Sequence, residues 1–294
     1  MIALTALDHV IVVVRDLDAA AATYAKFFGR APSGRGEHPE LGTANASWRL
    51  SNSYLELLSP VAAGGFADSL RARLDSVGEG PLGLAFATPA AGPCARSLRE
   101  RGLAASDPVP GFVRETTTGR IGRWENVYLP AEATRGLLVF AIHYIEHATD
   151  PPAADEVLLP GGIAGIDHVV VRTEAPEAAL RFYGEQLGLR LALDKTFEQW
   201  GARLIFFRVG GVTVEIAAPA KPVATPDARD SLWGISWRTP DVVAARARLA
   251  AAGYDVSELR TGRRPGTQVC TVRAETHGVA TLLLGPAPGG AATT

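Results

Sequence analysis

Shifted along itself by 159 residues, the chain lays His9 on His168, Tyr24 on Tyr183, Gly29 on Gly188, Gly42 on Gly201 and Glu56 on Glu215, without a gap. Special residues that keep register over about fifty positions mark an internal duplication, and a duplication restricts the fold more than any single motif does. Each histidine follows an aspartate, in Leu7-Asp8-His9-Val10 and Ile166-Asp167-His168-Val169. Each glutamate lies in an apolar run, Tyr54-Leu55-Glu56-Leu57 and Thr213-Val214-Glu215-Ile216. The His-to-Glu spacing is 47 residues both times (56 − 9 and 215 − 168).

A second repeat sits between these two. Gly83 to Phe86 is similar to Gly234 to Trp237, and Thr-Pro follows each, at Thr88-Pro89 and Thr239-Pro240. Each continues into an Ala/Arg/Leu segment that reaches glycine 19 residues after its start (83 to 102, 234 to 253). The order is therefore A-B-A′-B′. The expected division is a first domain at 1–145 (units 1–62 and 80–145), a linker at 146–163, a second domain at 164–286 (units 164–219 and 231–286) and a loose tail at 287–294.

All four units share one outline. Val10 to Val14 is a short continuous apolar run and predicts a buried strand. Asp16 is placed to cap a helix over Ala19 to Phe28, and Gly29 to stop it. Strands follow near 43–50 and 53–58, and the turn-rich stretch Pro32 to Pro39 has room for another short one. Unit B repeats this with a helix over 91–101 and strands near 82–87, 113–118, 124–129 and 137–144. Units A′ and B′ predict helices over 176–187 and 240–252. A connecting helix is expected over 63–77.

With 47% apolar and 20% charged residues, the chain has ample material for a core. A net charge of −2, with lysine and arginine scattered, argues against nucleic acid or a membrane surface as partner. Cys94 and Cys270 have no metal-ligand spacing and read as buried thiols in a reducing compartment. The run at Val10 lacks a basic flank and a cleavage site, so it reads as a strand and not a leader. A cytoplasmic protein is the expectation. No phosphate loop, dinucleotide fingerprint or nucleophile elbow is present. His143 and His147 would share a face only on a helix, and their segment reads as a strand, so they are set aside.

Four β-α-β-β-β units, with Asp-His opening a first strand and Glu near the end of a last one, resemble the vicinal oxygen chelate superfamily. That group includes glyoxalase I, methylmalonyl-CoA epimerase, extradiol dioxygenases and bleomycin-resistance proteins. The stretch from His9 to Leu58, with Gly42-Thr43-Ala44-Asn45, looks most like the glyoxalase-like branch. The resemblance implies an α+β fold of four βαβββ modules, forming two paired, curved mixed β-sheets with flanking helices. It also implies metal positions at strand starts and ends: His9 and Glu56 in unit A, His168 and Glu215 in unit A′. Units B and B′ depart from the pattern, with Gly83 and Gly234 at the opening positions and Phe140 and Leu282 at the closing ones.

Pairing A with B and A′ with B′ leaves one His and one Glu per cleft, fewer than usually hold a divalent ion unaided. Pairing A with A′ would instead gather His9, Glu56, His168 and Glu215 into one site. Glu56 and Glu215 are the expected proton-transfer groups, each turned by strand alternation away from its apolar neighbours. His38, in the loop before the second strand, is placed to add a donor to the A cleft, and its counterpart is Phe197. Asn45, Trp48, Tyr54, Trp124 and Asn126 are the expected substrate-lining residues of the first half, and Trp200, Arg203, Trp237 and Gln268 of the second.

The expected function is therefore a small-molecule enzyme, a metal-assisted isomerase, lyase or hydrolase acting on an oxygenated substrate. It would use a divalent metal ion and no organic cofactor. A metal-free protein that sequesters a small aromatic molecule is the first alternative. An extradiol dioxygenase is the second, and it requires A and A′ to share a site. A monomer or homodimer suits either class.

Overall fold

A computed structural model describes residues 4–149, 158–221 and 228–287. In the first half the elements are β1 (Ala6–Val13), α1 (Leu17–Phe28), β2 (Gly34–His38), β3 (Thr43–Arg49), β4 (Tyr54–Pro60), α2 (Gly65–Ser76), β5 (Gly80–Ala87), α3 (Ala91–Glu100), β6 (Val109–Glu115), β7 (Ile121–Tyr128) and β8 (Leu138–Glu146). In the second they are β9 (Gly165–Arg172), α4 (Pro176–Ala179), β10 (Arg190–Phe197), β11 (Ala202–Val209), β12 (Val212–Pro219), β13 (Ser231–Arg238), α5 (Val242–Ala251), β14 (Arg260–Thr261), β15 (Thr267–Val272) and β16 (Ala280–Pro286). Part of the expected linker, at 150–157, and all of the expected tail but residue 287 lie outside the described residues.

The local signals act as read. The Asp16 carboxylate accepts from the Asp18 and Ala19 amides at the start of α1. Gly29 ends the helix in the left-handed region at φ 72°. Three boundaries differ from expectation. His38 is on a strand, β2, and not in a loop. β6 begins at Val109, and residues 116–118 form the turn after it. The helix expected over 176–187 is α-helical only to Ala179 and continues over Leu180–Gln186 as a wider π-type coil.

Each half folds into one eight-stranded mixed sheet. The first closes on itself in the order β1-β4-β3-β2-β6-β7-β8-β5, while the second stays open as β10-β11-β12-β9-β13-β16-β15-β14. Unit A therefore pairs with B through β1 and β5, and A′ with B′ through β9 and β13. The arrangement in which A shares a sheet with A′ is not the one adopted.

Closure depends on a short β2–β6 ladder, Gly36 opposite Glu115 and Glu37 opposite Arg114. At Gly36 any Cβ would run into the Val113 side chain. The same displacement of 159 puts Lys195 at the Gly36 position and Leu193 at the Gly34 position. The strand facing that edge, β14, is only two residues long. Side chains on one strand and a stub on the other leave the second sheet open.

Leu7, Val10 and Val12 on β1 and Ile166, Val169 and Val171 on β9 belong to one hydrophobic core. Helices fill the space between the sheets. Phe27 and Phe28 of α1 reach across to Trp237 of β13, with ring centroids 5.6 and 5.4 Å apart. The Arg248 side chain of α5 donates to the Lys26 and Phe27 carbonyls at the C-terminus of α1. His9 and His168 therefore lie on the opposite strand faces from this shared core. A second, smaller cluster fills the barrel of the first half, where Leu70 and Leu74 of α2 pack with Ile11, Val13, Leu58 and Phe140. Among the described residues, no helix is long and apolar enough to cross a membrane.

Candidate active site

The barrel of the first half contains a cavity of about 130 Å³ lined by residues from seven of its eight strands. Strand alternation selects them. From β3 come Asn45, Ser47 and Arg49; from β4, Tyr54, Glu56 and Leu58; from β7, Gly122, Trp124, Asn126 and Tyr128; from β8, Leu138, Phe140, Ile142, Tyr144 and Glu146. β1 adds His9 and Ile11, and β2 adds His38. Of the eight first-half residues expected at the site, His9, His38, Asn45, Tyr54, Glu56, Trp124 and Asn126 line this one cavity.

Trp48 does not. It points to the other face of β3, fully buried, with its indole stacked on Phe28 at 5.5 Å and its Nε1 donating to the Arg30 carbonyl. The period of two that brings Asn45 and Ser47 inward sends Trp48 into the core. Trp237 is a core residue for the same reason.

His9 is held from three sides. Its Nδ1 is 2.7 Å from the Asp8 carboxylate, which fixes the ring orientation. Tyr54 stacks on it at 4.5 Å, and the Phe140 ring meets it edge-on at 5.8 Å. Its Nε2 is left facing Glu56 Oε2 at 3.5 Å, while Asn45 Nδ2 donates to Glu56 Oε1 at 2.5 Å. The Tyr54 and Tyr144 hydroxyls are 2.7 Å apart, and Tyr144 donates to Asp8. Burial, with Asp8 and Glu56 nearby, pushes both phenols well above the usual tyrosine range, so they remain hydrogen-bonding neutral groups. Burial holds His38 below the ordinary imidazole value, and its Nδ1 is 3.0 Å from the Thr43 hydroxyl.

The second half repeats the geometry without the enclosure. His168 Nδ1 is 2.9 Å from Asp167, and its Nε2 is 3.6 Å from Glu215. Burial alone would raise Asp167. Hydrogen bonds and charge from His168 and Arg238 outweigh that and hold it far below the usual carboxylate range. The His168 side chain is 18% exposed where that of His9 is 4%. It is not among the residues that line the barrel cavity. The four residues expected to ligate metal thus fall into two pairs on two sheets.

Each pair is two donors. Among the described residues no group of three or more His, Cys, Asp or Glu side chains is placed to hold a metal ion. Beside His9 stand Ala85, its register partner on β5, and Phe140 of β8, which bring no donor. The residues present therefore do not fit a resident divalent ion, which needs three or four protein ligands. Sequence reading missed Asp8 as the residue that orients His9, and also Tyr128, Phe140 and Tyr144. The alternation Phe140, Ile142, Tyr144 along β8 was the available signal.

The model for the glyoxalase-like domain matches residues 7–164. The chain belongs to the glyoxalase-like family. A second model, that of the glyoxalase/bleomycin resistance protein/dioxygenase superfamily, matches residues 167–271, so the two halves are tandem members of the vicinal oxygen chelate group. No curated protein matches the chain by sequence. Among solved structures it is similar to a variant of 4-hydroxymandelate synthase from Streptomyces coelicolor, at 14% identity and TM-score 0.71, covering 99% of this glyoxalase-like chain and 94% of the other. It is also similar to the Mn(II)-bound glyoxalase from Novosphingobium aromaticivorans, at 17% identity and TM-score 0.62, covering 96% and 82%. A hypothetical protein from Staphylococcus aureus follows at 10% identity and TM-score 0.64, covering 94% and 98%. At such identities the likeness speaks for the fold.

Proposed function

We propose that the barrel of the first half is the active site of an acid–base enzyme acting on a small oxygenated molecule, by isomerase, lyase or hydrolase chemistry. In this reading the chain is four βαβββ modules, and the open second half is a degenerate copy. The observation that carries the proposal is the row Asp8–His9–Glu56 at the wall of the largely apolar cavity inside the closed barrel of strands.

The row has a definite chemical logic. Asp8 accepts the proton of Nδ1, which turns Nε2 toward Glu56 and the cavity. His9 Nε2 and Glu56 Oε2 face each other at 3.5 Å, so one ligand group can reach both. Asn45 fixes the other Glu56 oxygen, leaving Oε2 toward His9. A ligand oxygen or acidic C–H brought against this pair can give up a proton or receive one. Leu70 and Leu74 of α2 pack at one end of the barrel, and aromatic walls line the rest, so the pair sits in a largely apolar surround. Tyr54 and Tyr144 hold the ring and donate hydrogen bonds.

The test is deuterium wash-in from D2O into a panel of small ketones, hydroxy ketones and phenols. Wild type and His168→Gln should exchange. His9→Gln and Glu56→Gln should lose about 10²- to 10⁴-fold, the usual worth of a positioned acid–base group. Exchange lost in His168→Gln and kept in His9→Gln would overturn the proposal. A binding protein without turnover is the second reading, favoured by the lack, among the described residues, of a third His, Cys, Asp or Glu grouped with His9 and Glu56. It predicts ligand binding with no wash-in in any variant.

A further inference from the structure

Among the described residues, one guanidinium on the cavity wall has no partner. Arg49 follows Asn45 and Ser47 on the inward face of β3, so strand alternation aims it at the same space. It is half-buried. It lies over the Tyr54 ring, with the guanidinium carbon 5.5 Å from the ring centre, and among the described residues its side chain makes no hydrogen bond and no ion pair. A guanidinium that has given up part of its water and gained no anion holds free energy that a ligand group can recover.

The other charged groups of the wall are engaged elsewhere. Arg35 pairs with Asp18, and Glu146 with Arg123. Glu115 is taken up by the Thr117 and Thr118 amides, and Glu56 by Asn45. Asp8 is held by His9 and the Tyr144 hydroxyl. No carboxylate among the described residues is thus left to turn to Arg49. His147 stacks on Tyr144 at 4.5 Å. Burial and the Arg49 charge hold its imidazole below the ordinary value, against the pull of Asp8, so at neutral pH Arg49 is the charged member of the two.

Position ties this charge to the reacting pair. Arg49 is opposite Tyr54 in the β3–β4 register, and His9 is beside Tyr54 in the β1–β4 register. The His9 ring stacks on the Tyr54 ring at 4.5 Å, and Arg49 lies over that same ring. The cation and the His9–Glu56 pair therefore stand one side chain apart on one wall, within the span of a molecule of a few carbons. A guanidinium presents two parallel N–H groups, which match the two oxygens of one carboxylate in charge and in geometry. A phosphate group carries more charge than one arginine neutralises.

We infer that the barrel takes a small oxo- or hydroxy-carboxylate, with its carboxylate on Arg49 and its oxygenated carbon at the His9–Glu56 pair. This rests on the barrel being the working site, and it deepens that reading by naming the substrate class.

The test is calorimetric titration of the full chain at neutral pH with acids and their isosteric amides: 4-oxopentanoate against 4-oxopentanamide, and 4-hydroxybenzoate against 4-hydroxybenzamide. Inorganic phosphate is a third arm. Wild type should bind at least one acid about tenfold or more tighter than its amide, and phosphate more weakly than that acid. Arg49→Met should erase the preference and keep the amide affinity, which also shows that the variant folds. Should it not fold, Arg49→Lys, which keeps the charge without the fork, should show a reduced preference. No acid preferred over its amide, no binding of any probe, phosphate as tight as the preferred acid, or a preference that survives either substitution undiminished would overturn the inference. The titration is read without turnover, and His9→Gln should keep the acid preference. A failed wash-in with the preference intact therefore rejects only the catalytic reading, and wash-in without the preference rejects only the substrate class.

Discussion

His9 Nε2 stands 3.5 Å from Glu56 Oε2, and the displaced copies His168 and Glu215 stand 3.6 Å apart. The two separations agree although one pair lies inside a closed barrel and the other on an open sheet. Their common origin is strand register. β1 and β4 run parallel with Ile11 beside Glu56, and β9 and β12 run parallel with Val170 beside Glu215. The backbone sets the pair, and enclosure by β2, β6 and α2 distinguishes the half that is proposed to work.

Asp8 holds the His9 ring by its Nδ1. Asp8→Ala should lower kcat about 10- to 100-fold with KM little changed, as loss of an orienting carboxylate does. Steady-state kinetics on a substrate found by wash-in checks this. A change confined to KM would assign Asp8 to ligand binding instead.

Trp48 separates stability from function. Trp48→Ala empties a fully buried site beside Phe28 and Tyr24 and should cost about 3–5 kcal/mol in urea unfolding. Trp48→Phe should cost less and leave deuterium wash-in unchanged, because the indole faces away from the cavity.

Glu115 closes the turn after β6. Burial would raise its carboxyl, but hydrogen bonds from the Thr118 hydroxyl and the Thr118 and Thr117 amides prevail and bring it to about 2. A value depressed on folding means stability fully present above the ordinary carboxylate value and lost as pH falls through the folded one. Unfolding free energy should therefore decline between roughly pH 4.5 and 2. Glu115→Gln should flatten part of that decline, as urea titrations at several pH values will show.

Arg248 joins the halves through three carbonyls, those of Lys26, Phe27 and Gly161. Arg248→Ala leaves those acceptors with water or nothing and should cost about 2 kcal/mol. It should also separate one unfolding transition into two in calorimetry. A single unchanged transition would show that the other contacts between the halves, such as Arg135 with Asp230, Asn52 with Ile166 and Phe27 with Trp237, suffice to couple them.

Much of this fold was legible because it is repeated. Gly29 and Asp16 bounded α1, and the pairs His9/Glu56 and His168/Glu215 announced themselves by spacing. Burial direction was harder to read. Asn45 and Trp48 lie three residues apart on one strand and face opposite ways, which the polar run Asn45-Ala46-Ser47 leaves undetermined. Closure was not legible either. It turns on Gly36 meeting Val113, a contact between residues 77 positions apart (113 − 36). Asp8 was visible as half of an Asp-His motif, but its role appears only when the carboxylate is seen on Nδ1. The lack of a carboxylate partner for Arg49 among the described residues is a property of the packed barrel and has no trace in composition or spacing.

The central claim is that His9 and Glu56 work as an acid–base pair without a resident metal. Elemental analysis of the protein purified without chelator, beside His9→Ala, tests it most directly. The account predicts transition metal far below one ion per chain in both. One ion per chain in the wild type, absent from His9→Ala, would contradict it.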